Sequence, residues 1–308
     1  MSEAATLMFG LGVTRAGSTW LYRYLAGHPD CALPRVKELH YFSTMDFGGA
    51  ERQVNRLSRL SKRAAKQYDR ADAKGDADKK ASVVDWQRDI ADLSDLVSRD
   101  EDSAAYLSYL TQHRGGQLHG DITPAYALLS EERLSMMAGL SPRSRFVMFL
   151  RDPVSRLWSN VLQSARLKAL RREDDPPTEM IAQIAKNMFN QWTKGNAEPL
   201  AVRCDYEGML TRLGRAVPGE RVFVDFYERL FRDETIAKLC AFLGISDHKA
   251  NFEHRSNVSD RIDMTDAQRD IARARLAPQY DFIDSYMGGD LPKRWMQNRP
   301  AVAGEVRV

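Results

Sequence analysis

The sequence predicts an α/β domain of three layers, in which helices cover both faces of a mainly parallel central sheet. Three observations lead to this fold class. Residues 6–25 have the pattern of a strand, a glycine loop and a helix, and residues 145–150 form a near-continuous apolar run. Such runs are typical of strands buried on both faces of a parallel sheet. Finally, the chain has 308 residues, 43% of them hydrophobic, which is enough for a sizeable core.

The first predicted unit lies near the N-terminus. Residues 6–9 are an apolar run of strand length, and residues 21–25 carry bulky side chains at helical spacing. Gly12 and Gly17 between them have the spacing of a phosphate-binding loop, but Ser18 stands where a nucleotide-triphosphate site has a lysine. Backbone N–H groups at the start of the helix favour an anion. The unit therefore predicts an anion site for a nucleotide with a shorter, differently substituted 5′ end.

The second predicted unit begins with the apolar run at residues 145–150. Pro153 stops this strand, and residues 154–167 then carry apolar side chains at helical spacing. Arg151 stands at the carboxyl end of the strand, with Ser159 two turns into the helix. An arginine and a serine placed in this way can form a second anion site beside the first. Two such sites predict one doubly phosphorylated ligand.

Five motifs make the chain similar to one enzyme family. They are Arg15-Ala16-Gly17-Ser18-Thr19-Trp20, Lys37-Glu38-Leu39-His40-Tyr41-Phe42, Gly120-Asp121-Ile122-Thr123-Pro124-Ala125-Tyr126, Arg151-Asp152-Pro153 with Ser159, and Val222-Phe223-Val224-Asp225-Phe226-Tyr227-Glu228 with Phe242-Leu243-Gly244. In this order and composition the chain resembles the sulfotransferases that use 3′-phosphoadenosine 5′-phosphosulfate (PAPS), over roughly residues 6–245. The resemblance implies the P-loop-like sulfotransferase fold, with PAPS as co-substrate and adenosine 3′,5′-bisphosphate (PAP) as product.

The resemblance also implies which residues bind the nucleotide. These are Arg15, Ala16, Gly17, Ser18 and Thr19 around the 5′-phosphosulfate, Trp20 and Tyr227 beside the adenine, and Arg151 and Ser159 around the 3′-phosphate. A strand tyrosine packed in the core is an equally good interpretation of Tyr227.

Glu38 matches the general base of the glycosaminoglycan sulfotransferases, and His40 is expected one strand repeat away on the same face. An acceptor hydroxyl needs such a base, because it is a poor nucleophile until its proton is removed. Negative charge then builds on the bridging oxygen of the leaving nucleotide, and Arg15, Lys37 and the loop amides are the candidates to stabilise it. No metal is required by this scheme, and the scattered histidines do not have zinc-ligand spacing.

Alternatives remain for several of these assignments. His119 and Asp121 lie where the cytosolic sulfotransferases have their catalytic histidine, so they are the alternative base. Arg15 replaces the usual loop lysine, and its guanidinium can stabilise the leaving oxygen without readily giving it a proton. Ile122 replaces a lysine of the glycosaminoglycan enzymes, which weakens the case for a polysaccharide acceptor. A P-loop kinase and a non-catalytic nucleotide-binding protein of the same fold are the alternative functions.

Composition limits the other classes. The formal net charge is +3, and the cations are interleaved with acids, which favours a solvated surface over a nucleic-acid footprint. No run approaches the ~20 apolar residues of a membrane span, and the N-terminal residues do not have the pattern of a secretory signal. Three widely spaced cysteines indicate a reducing compartment. We therefore expect a cytoplasmic enzyme that acts on a small-molecule or glycan hydroxyl, while a homo-oligomer is left open.

The chain is expected to form a single domain over residues 1–308, with a helical insertion at residues 51–100. That segment is rich in charged residues and alanine, and its spacing predicts two polar helices joined by a turn at residues 72–78. It is either a lid or dimer-forming arm that shapes the acceptor site, or a surface insertion without a chemical role. Residues 166–177 predict an exposed loop near the cofactor. Towards the C-terminus we expect a helix at residues 265–276, a cofactor-closing role for Arg255, Ser256, Asn257 and Arg261, and an anchoring role for Trp295.

Overall fold

The computed structural model, which describes residues 5–111, 115–253 and 262–300, contains a central sheet of five strands. The strands are β1 (Thr6–Gly12), β2 (Cys31–Ala32), β3 (Leu118–Ile122), β4 (Ser144–Leu150) and β5 (Val222–Phe226). Their order across the sheet is β2-β3-β1-β4-β5, and every neighbouring pair is parallel. The predicted α/β class with a parallel sheet is confirmed.

Helices flank this sheet on both faces. They are α1 (Ser18–Ala26), α2 (Tyr41–Phe47), α3 (Ala50–Ala73), α4 (Ala77–Val97), α5 (Ser103–Thr111), α6 (Glu131–Gly139), α7 (Pro153–Ala169), α8 (Thr178–Thr193), α9 (Glu198–Ala201), α10 (Tyr206–Ala216), α11 (Asp233–Leu243), α12 (Asp266–Tyr286) and α13 (Lys293–Asn298). The three inner strands β3, β1 and β4 are buried along almost their whole length. Both faces of the sheet are therefore covered, as their continuous apolar sequences predict.

The strand expected around Glu38 is absent from the structure, and this expectation was wrong. Only the two-residue strand β2 forms at that edge of the sheet, and the chain from residue 33 to residue 40 is irregular. Glu38 has φ 61° and His40 has φ 57°, so both lie in the left-handed region. A left-handed residue interrupts the side-chain alternation of a strand. The two side chains approach each other through the loop conformation and not through a strand repeat.

Residues 50–97 fold into α3 and α4, which pack against each other and are joined by residues 74–76. We call this pair the helical insertion. The face of α3 that points inward includes Gln53, Leu57 and Ala64, and that of α4 includes Ile90 and Leu93. The insertion is thus packed onto the body of the protein along one side only, and its other side is polar and exposed.

The C-terminal segment packs back onto the sheet. Thr265 caps α12 through a capping box, and the helix continues ten residues beyond the predicted end at residue 276. Trp295 is fully buried, and its indole N–H donates to Glu228 Oε2 at 3.0 Å, which is the anchoring contact that the sequence predicts. Arg255, Ser256, Asn257 and Arg261 lie outside the described residues. Among the helices that are described, none is both long enough and apolar enough to cross a membrane.

Candidate active site

A cavity of about 450 Å³ lies at the carboxyl ends of the strands. Each of the five strands is followed by a segment that contributes residues to the cavity wall. Open parallel sheets bind ligands at this end of their strands. The lining residues are Thr14, Arg15, Gly17, Ser18, Thr19, Trp20, Glu38, His40, Pro124, Ala125, Arg151, Ser159, Asn160, Gln163, Arg203, Tyr227 and Phe231. The fold thus brings most of the predicted site residues into one space.

The first anion site is formed by residues 13–19, between β1 and α1. Gly17 is the N-cap of α1 with φ 82°, and a Cβ at this position would lie 2.5 Å from Leu230 Cδ2. Glycine is therefore required both by the backbone conformation and by the space. The first helical hydrogen bonds are donated by Trp20 and Leu21 to the Gly17 carbonyl, so the N–H groups of Ser18 and Thr19 precede the helical pattern. They are available to an anion at the positive end of the helix.

The second anion site consists of Arg151 and Ser159. Arg151 directly follows β4, and its neighbour Asp152 caps α7 by accepting from the Ser155 N–H at 2.8 Å. The Asp152 carboxylate also accepts from Tyr280 at 2.6 Å and from the Asn298 amide at 2.8 Å, and it is fully buried. Asp152 is thus a structural residue that fixes the start of α7, while Arg151 beside it lines the cavity.

The two anion sites are in direct contact. Arg15 Nε donates to Ser159 Oγ at 3.0 Å, and Arg151 Nη1 donates to the Arg15 carbonyl at 2.8 Å. Burial lowers the pKa of Arg15, and the charge of Arg151 lowers it further. Within the described parts of the chain, neither arginine has a carboxylate within salt-bridge distance. Two adjacent cations without a counter-charge form a strong site for an anion.

Aromatic side chains border one side of the cavity. The Arg151 guanidinium lies 4.8 Å from the ring centroid of Tyr227, a cation–π contact that positions both groups. Trp20 is only 5% exposed, because Tyr24 and Phe252 stack against it with ring centroids 5.6 Å away. Trp20 therefore presents little of its indole to a ligand. Tyr227 and its neighbour Phe231 offer more aromatic surface, since both line the cavity and are only partly buried.

Another part of the cavity wall is formed by residues 35–40, which we call the base loop. Lys37 Nζ donates to Glu38 Oε1, and His40 Nε2 lies 3.6 Å from Glu38 Oε2. Burial alone would raise the pKa of Glu38, but the nearby His40 imidazole and the charge and hydrogen bond of Lys37 outweigh it and lower the pKa to about 2. Glu38 and His40 line the cavity, whereas Lys37 does not.

Four of the expected contributors do not reach the cavity wall. Ala16 is buried below the loop, and Lys37 binds Glu38 from behind. The alternative base Asp121 lies on β3 and is fully buried, where it accepts hydrogen bonds from three hydroxyls: those of Thr123 (2.7 Å), Tyr126 (2.7 Å) and Tyr106 (3.1 Å). Burial raises the pKa of Asp121 despite these bonds. Its neighbour His119 is likewise buried on β3 and outside the cavity lining.

The sequence analysis missed three polar residues of the cavity. Gln163 lies four positions after Ser159 on α7, so the helical period from Ser159 could have indicated it, whereas Asn160 directly follows Ser159 and is not marked by that period. Arg203 lies in the short turn Val202–Cys204, and no local pattern marks it. Burial and the charge of Arg156 lower the pKa of Arg203, whereas the carboxylate of Glu38 raises it. In the part of the chain that the structure describes, no group of His, Cys, Asp and Glu side chains could hold a metal ion.

Comparison with known proteins places this fold and site in one class. The sequence model of the sulfotransferase family matches residues 8–249, so the chain belongs to that family. The match includes both anion sites, the base loop and β5. No curated protein matches the sequence.

The chain is also similar to solved structures. A sulfotransferase from Alicyclobacillus acidocaldarius is 21% identical with a TM-score of 0.60, and the match covers 95% of this chain and 99% of that one. A sulfotransferase domain from the curacin biosynthetic pathway is 19% identical with a TM-score of 0.48, over 94% of this chain and 99% of that one. The sulfotransferase domain of the Synechococcus PCC 7002 olefin synthase is 18% identical with a TM-score of 0.44, over 94% and 95%. The first of these likenesses shows that the fold is shared.

Proposed function

We propose that the protein transfers the sulfuryl group of PAPS to a hydroxyl group of a small-molecule or glycan acceptor. The observation that carries this proposal is the contact between the two anion sites, in which Arg15 and Arg151 lie side by side and have no carboxylate partner among the described residues. A nucleotide with phosphate groups at both the 5′ and the 3′ position supplies one anion to each site. A nucleoside triphosphate carries its charges on one chain and does not match this arrangement.

On the nucleotide side, the amides of Ser18 and Thr19 and the guanidinium of Arg15 are assigned to the 5′-phosphosulfate. Arg151 and Ser159 are assigned to the 3′-phosphate, and the partly buried rings of Tyr227 and Phe231 are the surface offered to adenine. Trp20 supports these groups from below, since Tyr24 and Phe252 cover most of its indole. This assignment differs from the expectation, based on the sequence, that Trp20 itself lies beside the adenine.

On the acceptor side, Glu38 is assigned as the general base. The acceptor oxygen attacks the sulfur and loses its proton to the Glu38 carboxylate. The bond between sulfur and the bridging oxygen breaks at the same time, and its electron pair stays on the 5′-phosphate of PAP. Arg15 stabilises the charge that develops there, because it belongs to the loop that binds the 5′ group. Lys37 acts on Glu38 instead of on the leaving oxygen, since it lies behind the carboxylate.

The low pKa of Glu38 has a mechanistic consequence. A carboxylate with a pKa of about 2 is ionised at neutral pH and is ready to accept a proton, but it is a weak base. It therefore takes the proton late, when the attacking oxygen has already formed much of its bond to sulfur and its hydroxyl has become acidic. His40, which lies 3.6 Å from the same carboxylate, contributes to keeping it ionised before the transfer.

The test uses binding and transfer in parallel. Calorimetry should show that the protein binds PAP more tightly than ATP with magnesium, and incubation with ³⁵S-labelled PAPS and a pool of hydroxyl acceptors should give a labelled product. Preference for ATP with magnesium would favour a kinase. PAP binding without transfer to any acceptor would favour a nucleotide-binding protein that lacks catalysis.

A further inference from the structure

The helical insertion is hydrogen-bonded to the base loop along the loop's backbone. Four bonds involve the backbone of the loop: Arg35 N–H to Asp89 Oδ2 (2.7 Å), Arg56 Nη2 to the Lys37 carbonyl (2.7 Å), Arg56 Nη1 to the Glu38 carbonyl (2.9 Å), and Gln53 Nε2 to the Leu39 carbonyl (2.6 Å). A further bond joins two side chains, from Arg35 Nη2 to Asp85 Oδ2 on α4 (3.0 Å). Asp89 comes from α4, and Gln53 and Arg56 come from α3. Both helices of the insertion thus contact the loop that carries Glu38.

Arg56 is the central residue of this contact. Its guanidinium donates through two nitrogens to two consecutive carbonyls, those of Lys37 and Glu38. A planar guanidinium offers donors at a fixed angle, so it can hold both carbonyls in one orientation, which a lysine ammonium with a flexible stem cannot do. Burial lowers the pKa of Arg56 and the carboxylate of Glu38 raises it, so the side chain is a half-buried cation close to the base.

The backbone of the base loop needs such external support. Glu38 and His40 both have positive φ, a conformation that costs free energy in residues other than glycine. Such a conformation persists only where the surrounding structure determines it. Here the carbonyls of Lys37, Glu38 and Leu39 all bind side chains of α3, which fixes the direction of the Glu38 side chain relative to Lys37 and His40.

We propose that Arg56 is a positioning residue for Glu38, and that the helical insertion serves the reaction by holding the base loop in its strained conformation. This inference rests on the proposed function in so far as Glu38 is taken as the base. It gives the insertion a role in setting the geometry of the base. A lid or a dimer-forming arm is not needed to explain the contacts.

The test compares three variants with the wild-type protein. Arg56→Lys keeps the positive charge and removes the two-point contact, Arg56→Ala removes both, and Arg59→Ala is the matched control. Arg59 lies on the same helix, is exposed, and among the residues that the structure describes donates only to the Asn55 carbonyl of its own helix. For each protein we would measure kcat with ³⁵S-labelled PAPS and an acceptor pool, the Kd for PAP, and the titration of Glu38 by ¹³C NMR of carboxyl-labelled glutamate, assigned with Glu38→Gln.

We expect Arg56→Lys and Arg56→Ala to lower kcat by about 10- to 100-fold, as expected for a misplaced catalytic group, while the Kd for PAP stays unchanged. In both variants the Glu38 pKa should rise from about 2 towards its ordinary value of 4.5, because the carboxylate leaves Lys37 and His40. Arg59→Ala should match the wild type in all three measurements. If Arg56→Ala does not fold, Arg56→Lys and Gln53→Met, which removes the bond to the Leu39 carbonyl, decide the question.

Two results would overturn the inference. If Arg56→Lys retains the wild-type kcat and the wild-type Glu38 titration, only the charge of Arg56 matters. If the Arg56 variants lose PAP affinity in proportion to kcat, Arg56 has a general structural role. The NMR titration does not depend on transfer, so it still decides the role of Arg56 if the wild-type protein shows no sulfuryl transfer and the proposed function fails.

Discussion

The nucleotide side and the acceptor side of the cavity are built in different ways. Both anion sites begin in turns that directly follow buried strands, β1 and β4, and each site continues into the helix that comes next. The base loop follows the two-residue strand β2 at the edge of the sheet and contains two left-handed residues. Its conformation depends on side chains from the helical insertion, up to 54 positions away in sequence.

This difference corresponds to two requirements of a transferase, which must bind a nucleotide and also an acceptor. Turns between a buried strand and a helix place backbone N–H groups and arginines with little freedom, which suits a nucleotide of constant shape. A loop held by side chains of an inserted helix pair can change with the insertion, while the sheet and its anion sites stay the same. We therefore expect changes on the two sides to affect different steps, and the following experiments test this separation.

The largest effect is expected for Glu38→Gln. Loss of the base should lower kcat by about 10²- to 10⁴-fold, because general base catalysis contributes on this order. The Kd for PAP should not change, since Glu38 belongs to the acceptor side. Glu51→Gln, an exposed glutamate at the start of α3, is the control. Normal turnover in Glu38→Gln would show that the base lies elsewhere, with His40 as the next candidate.

Arg151→Ala should produce the opposite pattern. Loss of a charge-assisted hydrogen bond to a phosphate costs about 1.5–3 kcal/mol, so the Kd for PAP should rise by about 10- to 100-fold. At saturating PAPS, kcat should fall much less. Isothermal titration calorimetry measures the affinity, and Arg172→Ala, in the exposed segment after α7, is the matched control. An equal loss in Arg172→Ala would mean that overall charge, and not the second anion site, binds the nucleotide.

Gly17→Ala tests the first anion site through the backbone. A left-handed non-glycine residue costs about 1–3 kcal/mol, and at Gly17 the added Cβ also meets Leu230. Gly75→Ala is the natural comparison, because Gly75 is also left-handed (φ 64°) but a Cβ added there would meet no heavy atom within 4 Å. Thermal unfolding should show a greater loss for Gly17→Ala, and only that variant should lose PAP binding. Equal losses of stability would mean that Leu230 moves aside.

Lys37→Met should give the smallest effect, and the pH dependence of this effect identifies its cause. The folded-state pKa of Glu38 is below its ordinary value of 4.5, so the ionised carboxylate stabilises the fold above that pH, and this stabilisation is lost as the pH falls towards 2. In Lys37→Met the Glu38 pKa moves up and the contribution shrinks. The difference in unfolding free energy between wild type and Lys37→Met should therefore decrease as the pH falls below 4.5. A constant difference would mean that Lys37 does not hold the Glu38 charge.

The difference between the two sides of the cavity also explains which features the sequence could predict. The strands β1 and β4 and the helices α1 and α7 follow from apolar runs, glycine and proline, which act locally. The motif resemblance indicated Glu38, but the strand expected there does not form, since an edge segment held by distant side chains leaves no local pattern. Arg56 was not indicated, because a charged residue on a polar helix is typical of an exposed surface. Arg203 likewise reaches the cavity only through the packing of distant elements.

The Asp152 carboxylate sets an order of events in the synthesis of this protein. Two of its donors, Tyr280 and Asn298, follow it by 128 and 146 positions. Glu228, which accepts a hydrogen bond from the Asp152 N–H, also accepts one from Trp295. While the ribosome is still translating the middle of the chain, the turn after β4 has its arginine but not these partners. The proposed second anion site can therefore reach this hydrogen-bonded form only after α13 has left the ribosome exit tunnel.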